Sequence, residues 1–158
     1  MYKFFLFILL FCLSVTVYAQ SKKDIKKHKI SSISVTELNG SKTINDSKTV
    51  YNANGEVSEK TEYNKDGAFK KNLKYKFNNL GDVMEENEFD EKNNLIEKTI
   101  IKYNALGDKK EESVFDGSNK LVKKHIYIYD GKGLKTERKT LDASGKLVST
   151  KKYTYTFK

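Results

Sequence analysis

Few residues in this chain are of the types that do chemistry unaided. There are two histidines, His28 in a lysine-rich stretch and His125 in a run of strand type, and one cysteine, Cys12, in an apolar N-terminal segment. A catalytic triad or a two-histidine metal site needs partners at fixed spacing, and none accompanies them. Asn64-Lys65-Asp66-Gly67 resembles half of a calcium loop, but the further carboxylates and the closing Glu are missing. It reads as a turn. Asp and Glu are plentiful, yet no pair stands apart from the rest as a glycosidase requires. The glycines recur with the turns, so no phosphate-cradling loop is formed. We therefore expect no enzymatic activity, no cofactor and no metal, and assign no catalytic residue.

What remains is recognition chemistry. Tyr127, Tyr129, Tyr153 and Tyr155, with Lys151 and Lys152, could stack sugar rings and meet acidic groups. Their regular spacing favours another role, as clamps between adjacent strands. Nucleic acid is not expected as a partner, because acidic residues dilute the basic ones.

The spacing itself is the strongest pattern. Tyr51, Tyr63, Phe77, Phe89, Tyr103, Phe115, Tyr129, Leu141 and Tyr155 follow one another at alternating intervals of 12 and 14 residues, a true period of 26. A fixed period of this size marks a repeat architecture. Each anchor except the last is followed by Asn or Asp, and four residues after these anchors stands Gly or Asn. Those residues enter the left-handed backbone region at least cost, and an Asx side chain can cap the turn by bonding amides beyond it. Each anchor should thus close a strand and open a tight turn. The intervening runs, such as VSEKTEY and LVKKHIYIY, are short and β-branched.

Consecutive short strands joined by tight turns pair antiparallel. We expect an all-β fold, a β-hairpin repeat meander of about ten short strands forming an open, twisted and curled sheet. A closed up-and-down β-barrel is the alternative, disfavoured by charged strand centres that a closed interior would bury. Residues 26 apart should form columns, among them Phe69/Leu95/Leu121/Leu147, Tyr75/Ile101/Tyr127/Tyr153 and Phe77/Tyr103/Tyr129/Tyr155. His125 then shares a column with Leu73, Thr99 and Lys151 and reads as an ordinary strand residue.

The N-terminal segment reads as a cleaved signal peptide, residues 1–19. Lys3 precedes an apolar stretch from Phe4 to Val17, and Val17-Tyr18-Ala19 supplies a cleavage site before Gln20. That stretch is shorter than the roughly 20 residues that span a bilayer. Cys12 lies within it rather than at its end, so lipidation is not expected. A secreted or periplasmic protein without a transmembrane segment after cleavage follows. Removing Lys3 from the 30 basic residues leaves 29 against 21 acidic ones, a net charge of +8. Such a balance suits acidic surfaces or polymers, although interleaved Lys and Glu along the repeats read mainly as a solvated face. Residues 20–29 carry five lysines and look like a flexible basic leader that buries nothing. Residues 30–50 read as a degenerate N-terminal hairpin around Asn39-Gly40 that caps the array, and 51–158 as the repeats proper.

The unit Tyr-Asp-x-x-Gly followed by a Leu-containing strand resembles the tyrosine–aspartate (RHS/YD) repeat family. YDGKGLKTERKT from Tyr129, LDASGKLVSTKKY from Leu141, FDEKNNLIEKTIIKY from Phe89 and YNKDGAFKK from Tyr63 carry the likeness. In particular the chain looks like short exported RHS-like proteins of Bacteroidetes-type envelopes, whose signals often end in Ala-Gln. The resemblance implies a β-hairpin array that curls into a shell or spiral, with no catalytic residue in the repeat. Enclosing a toxin, as large members do, needs more repeats than this chain has. The expected function is a non-enzymatic, envelope-associated binding or interaction module. One alternative is a carbohydrate- or polyanion-binding protein using the C-terminal Tyr/Lys face. Another is a structural subunit that pairs with a protein partner through free sheet edges.

Overall fold

The computed structural model describes residues 21–158. The signal peptide read at residues 1–19, with Cys12, lies outside the described residues. Ten strands follow one short helix, α1 (Lys22–Lys27). They are β1 (Ser32–Asn39), β2 (Lys42–Tyr51), β3 (Val57–Tyr63), β4 (Phe69–Phe77), β5 (Val83–Phe89), β6 (Leu95–Tyr103), β7 (Lys109–Asp116), β8 (Leu121–Tyr129), β9 (Lys135–Asp142) and β10 (Leu147–Lys152). Each pairs antiparallel with its sequence neighbours in one sheet ordered β1 to β10. The ends do not meet, so the sheet is an open meander and the closed-barrel alternative is excluded. Among the described residues no helix is long and apolar enough to cross a membrane.

The repeat is built by its turns. Six of the nine anchors are the last residue of their strand; Phe115 and Leu141 stand one residue before the end, and Tyr155 follows β10. At Asn52 the backbone amide donates to the Glu56 carbonyl, the Gly55 amide donates to the Asn52 carbonyl, and the side-chain Oδ1 accepts from the amides of Asn54 and Glu56. The backbone pattern recurs at Asn64, Asn78, Asp90, Asn104, Asp116, Asp130 and Asp142. The residue three beyond each has positive φ, and it is Gly except where Asn93 (φ 61) and Asn119 (φ 63) stand in. This is a type I turn closed by a left-handed residue, which leaves a bulge beside the anchor. The first hairpin differs: Asn39 pairs with Lys42, so the loop is Gly40-Ser41.

The bulges settle which side each anchor takes. On the strand side of each bulge opposed residues have opposite parity, as in Leu73 with Glu88 or Tyr127 with Arg138, whereas past the bulge the anchor opposes a residue of its own parity, as Tyr129 does Lys135. Opposed residues share a face and neighbours along a strand alternate. Anchors of equal parity therefore fall on alternate faces. Tyr51, Phe77, Tyr103, Tyr129 and Tyr155 line one face at one end of the strands. Tyr63, Phe89, Phe115 and Leu141 line the other face at the opposite end.

With one layer, little is buried. The buried apolar residues among those described are Ile25, Ile44, Leu73, Ile101 and Val114. Ile25 corrects the reading of residues 20–29 as a leader that buries nothing. Ser21 caps α1 by accepting from the Asp24 amide, and the Ile25 side chain is only 2% exposed. One isoleucine in a basic segment is enough to dock it, because Lys22 also pairs with Glu56 at 3.0 Å beside the turn holding Gly55.

Two predictions follow from the turns. A Cβ at Gly117 would be driven into the Leu95 carbonyl oxygen, whereas one at Gly131 meets nothing within 4 Å. Gly117→Ala should lower stability by about 1–3 kcal/mol and Gly131→Ala should be near neutral, as read by chemical denaturation. The carboxyls of Asp90, Asp116 and Asp142 are held below the usual range, chiefly by hydrogen bonds from Asn94, Ser118 and Ser144 respectively. A lowered folded-state pKa gives stability that is present above the unfolded value of about 3.9 and lost as pH falls through the folded one. Amide exchange measured from about pH 4 downward should thus quicken first at these three turns, while those capped by Asn52, Asn64, Asn78 and Asn104 keep their protection.

Candidate functional site

The end of the sheet formed by β8, β9 and β10 carries the residues singled out for recognition. Tyr127 and Tyr129 lie on β8, and Lys151 opposes Arg138, which in turn opposes Tyr127. Tyr153 continues the ladder past β10, its amide donating to the Thr136 carbonyl at 2.9 Å. Register thus puts Tyr127, Tyr129, Lys151, Tyr153 and Tyr155 on one face. Lys152 opposes Glu137 and falls on the other.

The tyrosines are largely engaged by the sheet itself. The Tyr129 hydroxyl donates to the Lys109 carbonyl at 2.8 Å and Tyr155 to the Lys135 carbonyl at 2.8 Å, repeating the bond from Tyr103 to Val83 at 2.9 Å. Each reaches back 20 residues to the first residue of the preceding strand, stitching neighbours together. Tyr127 donates to Glu112. Burial, then that bond and the Glu112 charge, raise its hydroxyl pKa well above the ordinary range. Burial pushes Glu112 up, but Lys109 at 2.6 Å and Tyr127 outweigh it and hold the carboxyl low.

Two cations missed by sequence reading complete the cluster. The Lys135 ammonium stands 5.0 Å from the Tyr127 ring and 5.2 Å from that of Tyr153, between the two. Such placement is worth about 0.5–1 kcal/mol at exposed sites. Arg138, the only arginine of the chain, is flanked by Tyr127 and Lys151 across its two ladders, and its buried Nε has no partner among the described residues. Lys135 looked like one more surface lysine; the signal was its place 26 residues after Lys109 at the head of a strand. His125 bonds Thr140 through Nδ1 at 3.0 Å, and burial followed by the Arg138 charge lowers its pKa. It is a cross-strand residue here. No group of three or more His, Cys, Asp or Glu able to hold a metal occurs among the described residues.

At the other end of the same face a cavity of about 410 Å³ lies between α1 and β3 to β5. Val57, Tyr75, Phe77 and Val83 form its apolar side, with Lys22, Glu56 and Lys60 at the rim. Nothing in the sequence reading marked this place.

No known family's sequence model matches the chain, and no curated protein matches it. Solved structures similar to it include a protein of unknown function from Bacteroides fragilis NCTC 9343, at 16% identity and TM-score 0.41. That match covers 80% of this chain and 96% of the other. TarM is similar at 15% identity and TM-score 0.33, over 80% of this chain and 22% of TarM. A Staphylococcus aureus TarM mutant in complex with fondaparinux, alpha-GlcNAc-glycerol and UDP aligns at 15% identity and TM-score 0.27, over 82% and 21%. The chain thus spans about a fifth of TarM. At these TM-scores the likenesses carry no information about what the chain does.

If the hydroxyl stitch holds strands together, Tyr129→Phe should cost about 1 kcal/mol. Phe77→Tyr, which offers the same bond to the Val57 carbonyl, should gain a similar amount. Thermal denaturation of the two variants checks both signs.

Proposed function

We propose that this protein is an exported, non-enzymatic repeat module of RHS/YD type that binds or bridges components of the cell envelope. The observation that carries the reading is the single open layer. Ten strands at about 4.8 Å spacing make a long surface whose reactive side chains are tied into the repeat, as with Tyr127 on Glu112 and His125 on Thr140. Such a surface offers area, free edges and variable turns to a partner. Fractionation of producing cells, with the mass of the recovered protein, tests export. The expected product starts at Gln20 outside the cytoplasm; uncleaved chain in the cytoplasm would overturn the exported reading.

A second reading is favoured by the basic end of the sheet, where Lys135, Arg138 and Lys151 share a face. Here the ligand is an anionic glycan held by charge rather than by stacking, since a lysine already stands over the Tyr127 and Tyr153 rings. Chromatography on immobilised heparin, a sulfated glycan, checks it. Retention should fall steeply with added salt and drop several-fold in Lys135→Glu and Lys151→Glu variants. Retention that both variants keep would remove this face from the site.

A further inference from the structure

Repeat symmetry exposes one place where the sheet is left unfilled. Near the C-terminus Lys135 covers the Tyr127 ring, Lys109 pairs with Glu112, and the Tyr129 hydroxyl bonds the Lys109 carbonyl. Two periods earlier the same positions hold Val83 for Lys135, Val57 for Lys109, Lys60 for Glu112 and Phe77 for Tyr129. Two long side chains and one hydroxyl are missing there, and the cavity of about 410 Å³ opens in their place. That size lies at the lower end of small-molecule sites, roughly 300–1,000 Å³.

What lines the space limits what can fill it. Tyr75 stands where Tyr127 stands in the later unit, but its hydroxyl has no hydrogen-bond partner among the described residues, unlike those of Tyr103, Tyr127, Tyr129 and Tyr155. Burial, with Glu86 and Glu62 nearby, pushes that hydroxyl up to about 12, so it stays protonated and able to donate. The Val57 carbonyl lacks the hydroxyl that its counterparts Val83, Lys109 and Lys135 receive, because Phe77 has none to give. At the rim Lys22 is paired with Glu56 at 3.0 Å and Lys60 with Glu62 at 2.9 Å. A charged ligand meets cations and anions already balanced. A plain alkyl chain would cover the rim's donors and acceptors without bonding them, which is unfavourable. A ring with one apolar C–H face and a border of hydroxyls suits both the aromatic side and the paired rim.

We propose that this cavity binds one sugar residue of a neutral glycan, seated against Tyr75 and Phe77 with its hydroxyls bonded by the Tyr75 hydroxyl, Lys60 and Glu56. This rests on the reading of the protein as a binding module and names the ligand class of a site distinct from the basic end. The Val57, Phe77 and Val83 substitutions that break the repeat are what make room for it.

The test is a titration of the protein with glucose and N-acetylglucosamine as neutral probes and glucuronate as a charged one, followed by amide chemical shifts. At least one neutral sugar should shift resonances of residues 56–60 and 75–83 at millimolar concentration, with glucuronate weaker. Val83→Lys installs a side chain that the fold already carries at 109 and 135, and should abolish the shifts while the thermal transition is retained. Tyr75→Phe should weaken binding several-fold, which gives a second readout if Val83→Lys fails to fold. No response to either neutral sugar, an unchanged titration in both variants, or tighter binding of glucuronate would overturn the proposal. Heparin retention in a protein that ignores neutral sugars would sink this cavity alone and leave the broader binding role standing.

Discussion

A lone sheet has no second layer against which to bury its side chains, and that constraint shapes everything else in this molecule. Stability must come from hydrogen-bonded ladders, from turns that fix register, and from side-chain pairs lying along each face. The buried apolar set, Ile25, Ile44, Leu73, Ile101 and Val114, is small for a domain of this length. Nine hairpins join the strands, and eight of them share one turn whose Asx side chain or backbone satisfies the amides that the reversal frees. A turn of fixed geometry fixes the pairing, and a fixed pairing holds the columns in place.

The tyrosine hydroxyls add a second level of order. Tyr103, Tyr129 and Tyr155 each bond the first carbonyl of the preceding strand, so a residue that ends one strand also holds the start of its neighbour. Charged pairs do similar work on the opposite face, as Lys76 with Glu85 and Lys102 with Glu111 show. Exposed pairs of this kind contribute only about 0–1 kcal/mol each. Their greater effect is on specificity: a slip by one residue would part these pairs and turn every anchor to the wrong face. This is a physical reason for Lys and Glu to meet across neighbouring strands, as Glu59 meets Lys74 and Glu62 meets Lys71.

The same logic separates the two ends of the anchor-bearing face. In the C-terminal units, lysines at strand starts and hydroxyls at strand ends fill the surface. In the N-terminal units, valines and Phe77 leave it open, and α1 closes over one side through Ile25 and the Lys22–Glu56 pair. The helix has no counterpart in the repeat. It docks where the repeat is least complete, which ties the capping segment to the cavity beside it.

The 26-residue period, read with the Asx and Gly positions, determined strand number, strand limits, turn positions and antiparallel pairing, because those features are local and repeat. An open sheet rather than a barrel was legible in the charged strand centres. What the period could not decide was facing. Anchors of one parity look equivalent along the chain, yet a bulge at each reversal sends alternate ones to opposite faces. The docking of Ile25, the seating of Lys135 between two tyrosines and the empty place beside Tyr75 likewise needed the folded sheet. Each depends on residues from different elements meeting in space, and sequence distance does not encode that once the repeat is broken by single substitutions.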